Sequence, residues 1–254
     1  MRRGVRFVLI GLGAVLLCLT VAVGGVVALY SYVTRPITDL ESIGDGAVTT
    51  IVTDHFGPVA MAAYLFELAD GQLGLVDSGG DAGASNIRAA LASKGKATSD
   101  VRVILLTHGH DDHSGGVAAF SAATVYALAP DVEAVRRRRT TAGATGQTLA
   151  AAFGTTLQLA GTTAEVFAMP GHTRGSAAYL VHGVLFLGDS AQSLRNGTVG
   201  PNTVMSEDGD MTTHSMRTLV DQLRQGAAPV RHVAFGHSGS LTGIDALISW
   251  SAGQ

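Results

Sequence analysis

Residues 107–116 read THGHDDHSGG, which puts three of the chain's nine histidines and two aspartates into six consecutive positions. His108 and His110 stand two apart, so in an extended segment both project to one side and can hold one ion together. Asp112 and His113 follow where the chain must turn, and their side chains reach the same cavity from another angle. Imidazole and carboxylate without thiolate suit Zn²⁺, and equally Fe or Mn. A lone histidine is usually structural, whereas three at this spacing beside an acid make a metal-binding pattern that its context must support.

The context supports it. Asp77 follows LGLV, His172 follows AEVFAMPG, Asp189 follows VLFLG and His237 follows VRHVAFG. Each is a short apolar run that reads as a strand, so one edge of the fold collects His and Asp at its strand ends. Further strands are expected in AVTTIVTD, MAAYLFEL, VRVILLT, ATVYAL and AAYLVH. Helices are expected over Ser85–Lys94, from Ser114 to Phe120, over Ser215–Gln225 and over Leu241–Trp250. Residues 131–153 read as helical or irregular, and 190–211 as a polar, Gly-rich loop. Strands and helices alternate, which predicts an α/β (α+β) layered fold.

Five segments, LVDSGG, THGHDDH, PGHTRGS, LGDS and FGHS, occur in the order found in metallo-β-lactamase superfamily hydrolases. The chain resembles that family from Asp77 to Ser238. The resemblance implies a four-layer αββα sandwich with the metal site at one edge. It implies that His108, His110 and His172 hold one metal, that Asp112, His113 and His237 hold a second, and that Asp189 bridges them. Asp77 would buttress the histidine loop. The implied cofactor is two divalent ions, Zn²⁺ first, with Fe or Mn as alternatives.

Two such ions about 3.5–4 Å apart share a water and lower its pKa toward neutral. The hydroxide would attack a carbonyl or phosphoryl centre, with Asp112 orienting it as well as binding metal. No G-x-S-x-G elbow is present to supply a serine nucleophile. Asp189 in LGDS resembles glyoxalase II, whereas zinc β-lactamases of the family usually carry Cys or Ser there. With 17 residues after His237, the helical glutathione-binding domain of glyoxalase II is not expected. The expected activity is therefore hydrolysis of an ester, thioester or lactone. The alternatives are a β-lactam hydrolase and an iron-dependent oxidoreductase of the persulfide dioxygenase type.

Composition narrows the partners. The chain has 254 residues, formal net charge −3 and a pI near 6.3, which gives no electrostatic case for nucleic acid. A small-molecule substrate is expected, and the sequence leaves the oligomeric state open. Arg2, Arg3 and Arg6 precede an uncharged run from Phe7 to Tyr30. These 24 residues would span about 36 Å as a helix, against about 30 Å of hydrocarbon. The expectation is a basic cytoplasmic tip (1–6), a membrane anchor (7–30), a linker (31–44) and one extracytoplasmic domain (45–254). A cleaved signal ending at Ala22-Val23-Gly24, or lipidation of Cys18, are the rival readings. Cys18 is the only cysteine, so the domain has neither disulfide nor thiolate ligand.

Three features sit at the margin. His55 and Phe56 occupy a hairpin tip, where they would either wall the pocket or form an exposed turn. His214 would end the long loop and either face the pocket or mark a helix boundary. Arg136–Arg139 reads as a solvated helix face, with anionic lipid or substrate as the alternative.

Overall fold

Short β-branched and aliphatic runs become strands, and these assemble into two main sheets. The computed structural model describes residues 23–141, 149–151, 156–226 and 228–253. The first sheet runs β1 (Ser42–Ile43), β2 (Val48–Phe56), β3 (Val59–Glu67), β4 (Leu73–Val76), β5 (Val101–Leu105), β6 (Thr124–Ala127) and β7 (Leu149–Ala151) in that order. The second runs β15 (Leu241–Thr242), β14 (His232–Ala234), β11 (Val184–Phe186), β10 (Ala177–Val181), β9 (Thr162–Ala168) and β8 (Thr156–Leu159). A small hairpin, β12 (Ala191–Ser193) with β13 (Val199–Pro201), stands apart.

Three apolar clusters define the layers. Tyr64, Phe66, Leu105, Tyr179 and Phe186 belong to the cluster that both sheets share. Ile87 and Leu91 of helix α2 (Ser85–Ser93) and Val135 of helix α4 (Val132–Thr141) cluster with Leu75 and Ile104 of the first sheet. Met216, Leu219 and Val220 of helix α5 (Gly209–Gly226) and Leu247 of helix α6 (Asp245–Ala252) cluster with Leu185 and Val233 of the second. Helices therefore cover both outer faces, in the expected αββα order.

Parallel pairing sets one direction. β4, β5 and β6 run parallel, and β11 runs parallel to β14. The carboxyl ends of β4, β5, β11 and β14 open onto one edge, where Asp77, His108, Asp189 and His237 follow them. Cross-sheet bonds lock this edge. The Tyr64 hydroxyl donates to Phe235 O at 2.6 Å, and Tyr179 donates to Leu106 O at 3.0 Å. Ala62 N–H reaches Gly236 O at 2.9 Å and Ala177 N–H reaches Thr107 O at 2.7 Å.

Several element boundaries differ from the sequence reading. The helix expected from Ser114 starts at Asp111 as α3 (Asp111–Ser114) and tightens to a 3₁₀ turn over Gly115–Ala119. Asp111 and Asp112 occupy its first turn, where carboxylates suit the helix dipole. The 190–211 stretch contains the β12–β13 hairpin. Helix α5 begins six residues before Ser215, at Gly209, because Asp208 Oδ1 accepts the Met211 N–H at 2.9 Å as an N-cap. The last helix runs Asp245–Ala252, after the short strand β15. Residues 131–153 hold α4 and β7, and β8 has no counterpart in the sequence reading.

The expected basic tip (1–6) and residues 7–22 of the expected span over 7–30 lie outside the described residues. Residues 23–33 form helix α1, and no helix among the described residues is long and apolar enough to cross a membrane. The expected linker lies along the domain: Thr34 pairs with Leu194, and β1 edges the first sheet.

Candidate metal centre

Asp77 anchors the histidine loop. It ends β4 in a left-handed conformation (φ 60°), which Asp tolerates better than most residues. Its Oδ1 accepts the Thr107 N–H at 2.8 Å, and its Oδ2 accepts the Thr107 hydroxyl at 2.8 Å and His113 Nδ1–H at 2.8 Å. That last bond fixes the tautomer of His113 and turns its Nε2 inward. Close packing of the two loops depends on Gly115 and Gly116. A Cβ on either would run into the backbone of the 78–80 loop.

Two ligand groups result. His108 Nε2, His110 Nδ1 and His172 Nε2 face one another at 3.0, 3.1 and 3.2 Å. In the second group, Asp112 Oδ2 meets His237 Nε2 at 3.0 Å. Asp189 Oδ1 lies 3.2 Å from His113 Nε2, and its Oδ2 lies 3.3 Å from His237 Nε2. Asp189 Oδ2 also stands 3.6 Å from His172 Nε2, so this carboxylate touches both groups. His237 Nδ1–H donates to Ala60 O at 2.9 Å, which aims its Nε2 at the centre. Gly236 makes room, since a Cβ there would collide with Asp189 Oδ1 and His113 Cε1.

The donor set fits metal. Three imidazole nitrogens converging on one point cannot satisfy one another, whereas nitrogens around a tetrahedral Zn²⁺ at about 2.0–2.1 Å stand roughly 3.3 Å apart. His113 Nε2 and Asp189 Oδ1 are buried and make no well-formed hydrogen bond, although they face each other at 3.2 Å. Such orphaned atoms are costly unless something binds them. Within each group, one ligand atom per residue lies within 4.8 Å of the others.

The two groups differ in charge. Burial, helped by the neighbouring His113, holds His108 well below the usual imidazole range. Burial also brings His172 down to about 4. His108 and His172 are therefore neutral and ready to ligate. Burial disfavours charge on His113 too, yet the Asp189 and Asp77 carboxylates outweigh it and raise His113 to about 10. His237 is likewise raised well above its ordinary value, burial being overcome by Asp189 and by its bond to Asp112. Against its own burial, Asp189 is kept ionised by His237 and His113.

One positioning residue escaped the sequence reading. Asp131 is buried, and its Oδ2 accepts the Gly109 N–H at 2.7 Å and the Thr173 hydroxyl at 2.8 Å. Its Oδ1 accepts the Gly175 N–H at 3.1 Å. It thus ties the loop of His108 and His110 to the loop of His172. The only available signal was a lone Asp after the ATVYAL strand, which no spacing connects to those loops.

The marginal candidates belong to neither ligand group. His55 is exposed and lines a groove with Asp39 and Asn86 beside α2. Phe56 stands exposed at the hairpin tip. His214 lies inside α5 rather than at a loop end, because the Asp208 cap starts the helix early, and it lines a groove with Phe167 and Pro170. Arg136 and Arg137 pair with Glu133 on α4, while the side chains of Arg138 and Arg139 lie outside the described residues.

Comparison with known proteins agrees with this geometry. The sequence profile of the metallo-beta-lactamase superfamily matches residues 56–237. A hydroxyacylglutathione hydrolase from Synechococcus sp. is 36% identical over 148 residues, 52% of this chain and 52% of that protein. Human metallo-beta-lactamase domain-containing protein 1 is 35% identical over 92 residues, covering 32% of this chain and 34% of that one. The chain thus spans about half the length or less of these curated relatives. Among solved structures, a metallo-beta-lactamase from Pontibacter korlensis superposes with TM-score 0.64 at 18% identity, covering 85% of this chain and 96% of that one. A metallo-beta-lactamase family protein from Thermus thermophilus gives 0.59 at 24%, covering 82% and 79%. These two show the fold alone.

Proposed function

Since the chain belongs to the metallo-beta-lactamase superfamily, we propose that it is a metal-dependent hydrolase of esters, thioesters or lactones, of the glyoxalase II-like type. The observation that carries this reading is the pair of converging ligand groups joined by Asp189. The similarity to hydroxyacylglutathione hydrolases supports the choice of acyl chemistry.

His108, His110 and His172 would hold one divalent ion, and Asp112, His113 and His237 the other, with Asp189 between them. Such ions, Zn²⁺ first, supply Lewis acidity and make water a nucleophile near neutral pH. The chain's own residues do the rest. Asp77 and Ala60 O fix the tautomers of His113 and His237. The Asp112 side chain is 44% exposed, the most open of the second group, and its carboxylate faces incoming water and substrate. It would orient the attacking water. Asp189, buried at the floor, keeps the two groups at a fixed separation.

We further place the chain at a membrane through residues 7–30, with the domain extracytoplasmic. The support is the uncharged run behind Arg2, Arg3 and Arg6.

The test is metal content of the full chain, purified without chelator or added metal, together with turnover of ester, thioester, lactone and cephalosporin substrates. About two zinc per chain with acyl-ester or thioester hydrolysis is the expected result. Cephalosporin turnover alone would move the assignment to β-lactams. Iron, with oxygen uptake and no hydrolysis, would overturn it in favour of an oxidoreductase.

A further inference from the structure

Helix α1 carries no charged side chain and its solvent-facing side is apolar apart from the Tyr32 hydroxyl, yet only one stripe of it touches the domain. Val27, Tyr30 and Ser31 are partly covered, while Val23, Val26 and Leu29 are each more than half exposed. A helix that is apolar all round belongs in a protein core or in lipid. The chain N-terminal to it, back to Phe7, continues the same uncharged composition.

The place where this helix is fastened matters more. Its carboxyl end is stitched to the backbone that follows two metal-facing residues. Arg195 donates from Nε to Tyr32 O at 2.8 Å and from Nη2 to Ser31 O at 3.2 Å, and its own N–H reaches Val33 O at 3.0 Å. Arg35 N–H bonds Ser193 O at 3.0 Å, and Gly239 N–H bonds Arg35 O at 2.8 Å. Ser193 lies four residues after Asp189, and Gly239 two after His237. On its covered stripe, Val27 Cγ1 lies 3.8 Å from where a Cβ on Gly57 would stand, at the β2–β3 hairpin tip.

Two further apolar projections flank the same centre. Phe56, 69% exposed, crowns the hairpin whose Ala60 O holds His237. Val204 and Met205, 82% and 63% exposed, tip the loop between Asn202 and Asp208. That loop is tied to Ser190 O through the Asn202 N–H at 3.2 Å, and to His172 O through the Glu207 N–H at 3.1 Å. Of the remaining exposed large side chains in the described domain, Leu40 and Met211 line grooves on the outer helical faces.

We propose that the rim formed by α1, Phe56 and Val204–Met205 docks on a lipid bilayer, so that the metal centre opens at the membrane surface and takes amphiphilic acyl substrates from it. This rests on the hydrolase reading for its chemistry and on the membrane placement of residues 7–30 for its choice of lipid. Continuity of the rim with the 7–30 run selects lipid over other occupants. Each rim side chain gains by leaving water for the acyl boundary. Arg35 and Arg195, where α1 meets the domain, suit the headgroup layer. A substrate whose acyl chain stays in the bilayer would present its ester or thioester carbonyl at that depth.

The test uses the full chain reconstituted in phosphatidylcholine vesicles with brominated acyl chains. Trp250 is the only tryptophan. In a Trp250→Phe background, Phe56→Trp, Val204→Trp and the control Leu40→Trp each carry one fluorophore, with metal content checked against the parent. Quenching at positions 56 and 204 should exceed that at 40 by at least about 2-fold. Equal quenching at all three positions would overturn the proposal, as would protection of 56 and 204 by a second copy of the chain. Should the Trp250→Phe background fold poorly, the same variants are read against the constant Trp250 signal. A second readout is the ratio of turnover on a long-chain acyl ester in vesicles to that on a water-soluble short-chain ester. Val204→Ser with Met205→Ser should lower this ratio about tenfold, and an unchanged ratio would overturn the substrate class. Quenching without turnover of any acyl substrate would sink the hydrolase reading and leave the surface standing. Turnover without quenching would do the reverse.

Discussion

At the residue scale, two buried aspartates divide the work of holding the centre. Asp77 fixes His113, which belongs to the second group, while Asp131 ties together the loops that carry the first. Asp77→Asn should therefore weaken metal at the second position about 10–100-fold, and Asp131→Asn should do the same at the first. Metal stoichiometry during a chelator titration measures this, and equal loss from both positions in both variants would refute the division. Charge separates the positions as well. His108 and His172 are neutral before any metal arrives, whereas His113 and His237 are held protonated by Asp189 and its neighbours. A metal entering the second group must displace protons, so its affinity should rise with pH through neutrality, and more steeply than that of the first group, where His108 and His172 carry no proton to displace. Calorimetry in buffers of different ionisation heat should show more proton release for the second ion than for the first. Asp112→Asn removes the open carboxylate, and should cost about 10²–10⁴-fold in kcat. Near-parental turnover in that variant, with metal retained, would show that water is oriented by another group.

At the element scale, the centre exists because strand ends and loops approach closer than ordinary side chains allow. Gly115 and Gly116 let the turn after α3 lie on the 78–80 backbone, and Gly236 leaves room for Asp189 beside His113. The sheets are then pinned beside the site by buried tyrosines. Tyr179, from β10 of the second sheet, donates to Leu106 O at the end of β5 in the first, directly before the histidine loop. Tyr179→Phe leaves that buried carbonyl without its partner, and should cost about 1–3 kcal/mol. For a domain of this size each kcal/mol lowers Tm by about 2–4 °C, so differential scanning calorimetry resolves the loss. No fall in Tm would mean that the cross-sheet bond contributes nothing to the lock.

At the scale of the whole molecule, the apolar core and the metal centre are separate structures. The three core clusters contain none of the metal-facing residues. Removing metal with a chelator should therefore leave a folded protein of lower Tm, because an ion bound only by the folded state adds about 2.7 kcal/mol when its free concentration is a hundred times Kd. Circular dichroism with a thermal scan, before and after chelator, checks both halves of the expectation. A chain that unfolds outright on metal removal would show that the centre is part of the core.

Much of this protein is local and was legible in its sequence. The ligand types, their spacing and their positions after apolar runs pointed to a His/Asp metal site, because strand ends and histidine pairs are short-range features. Most strands and helices followed from the same periodicity. The early start of α5 had a readable signal as well, in the Asp208 cap. What the tertiary structure decided depends on contacts between residues far apart in the chain. Asp131 meets Gly109 and Thr173 only after β6 and the His172 loop have folded against each other. His214 faces a groove rather than joining either ligand group because α5 packs its other face on the second sheet. The convergence of α1, Phe56 and Val204 around the metal centre has no trace in spacing, since β-sheet register and long loops, rather than sequence neighbours, set which segments meet.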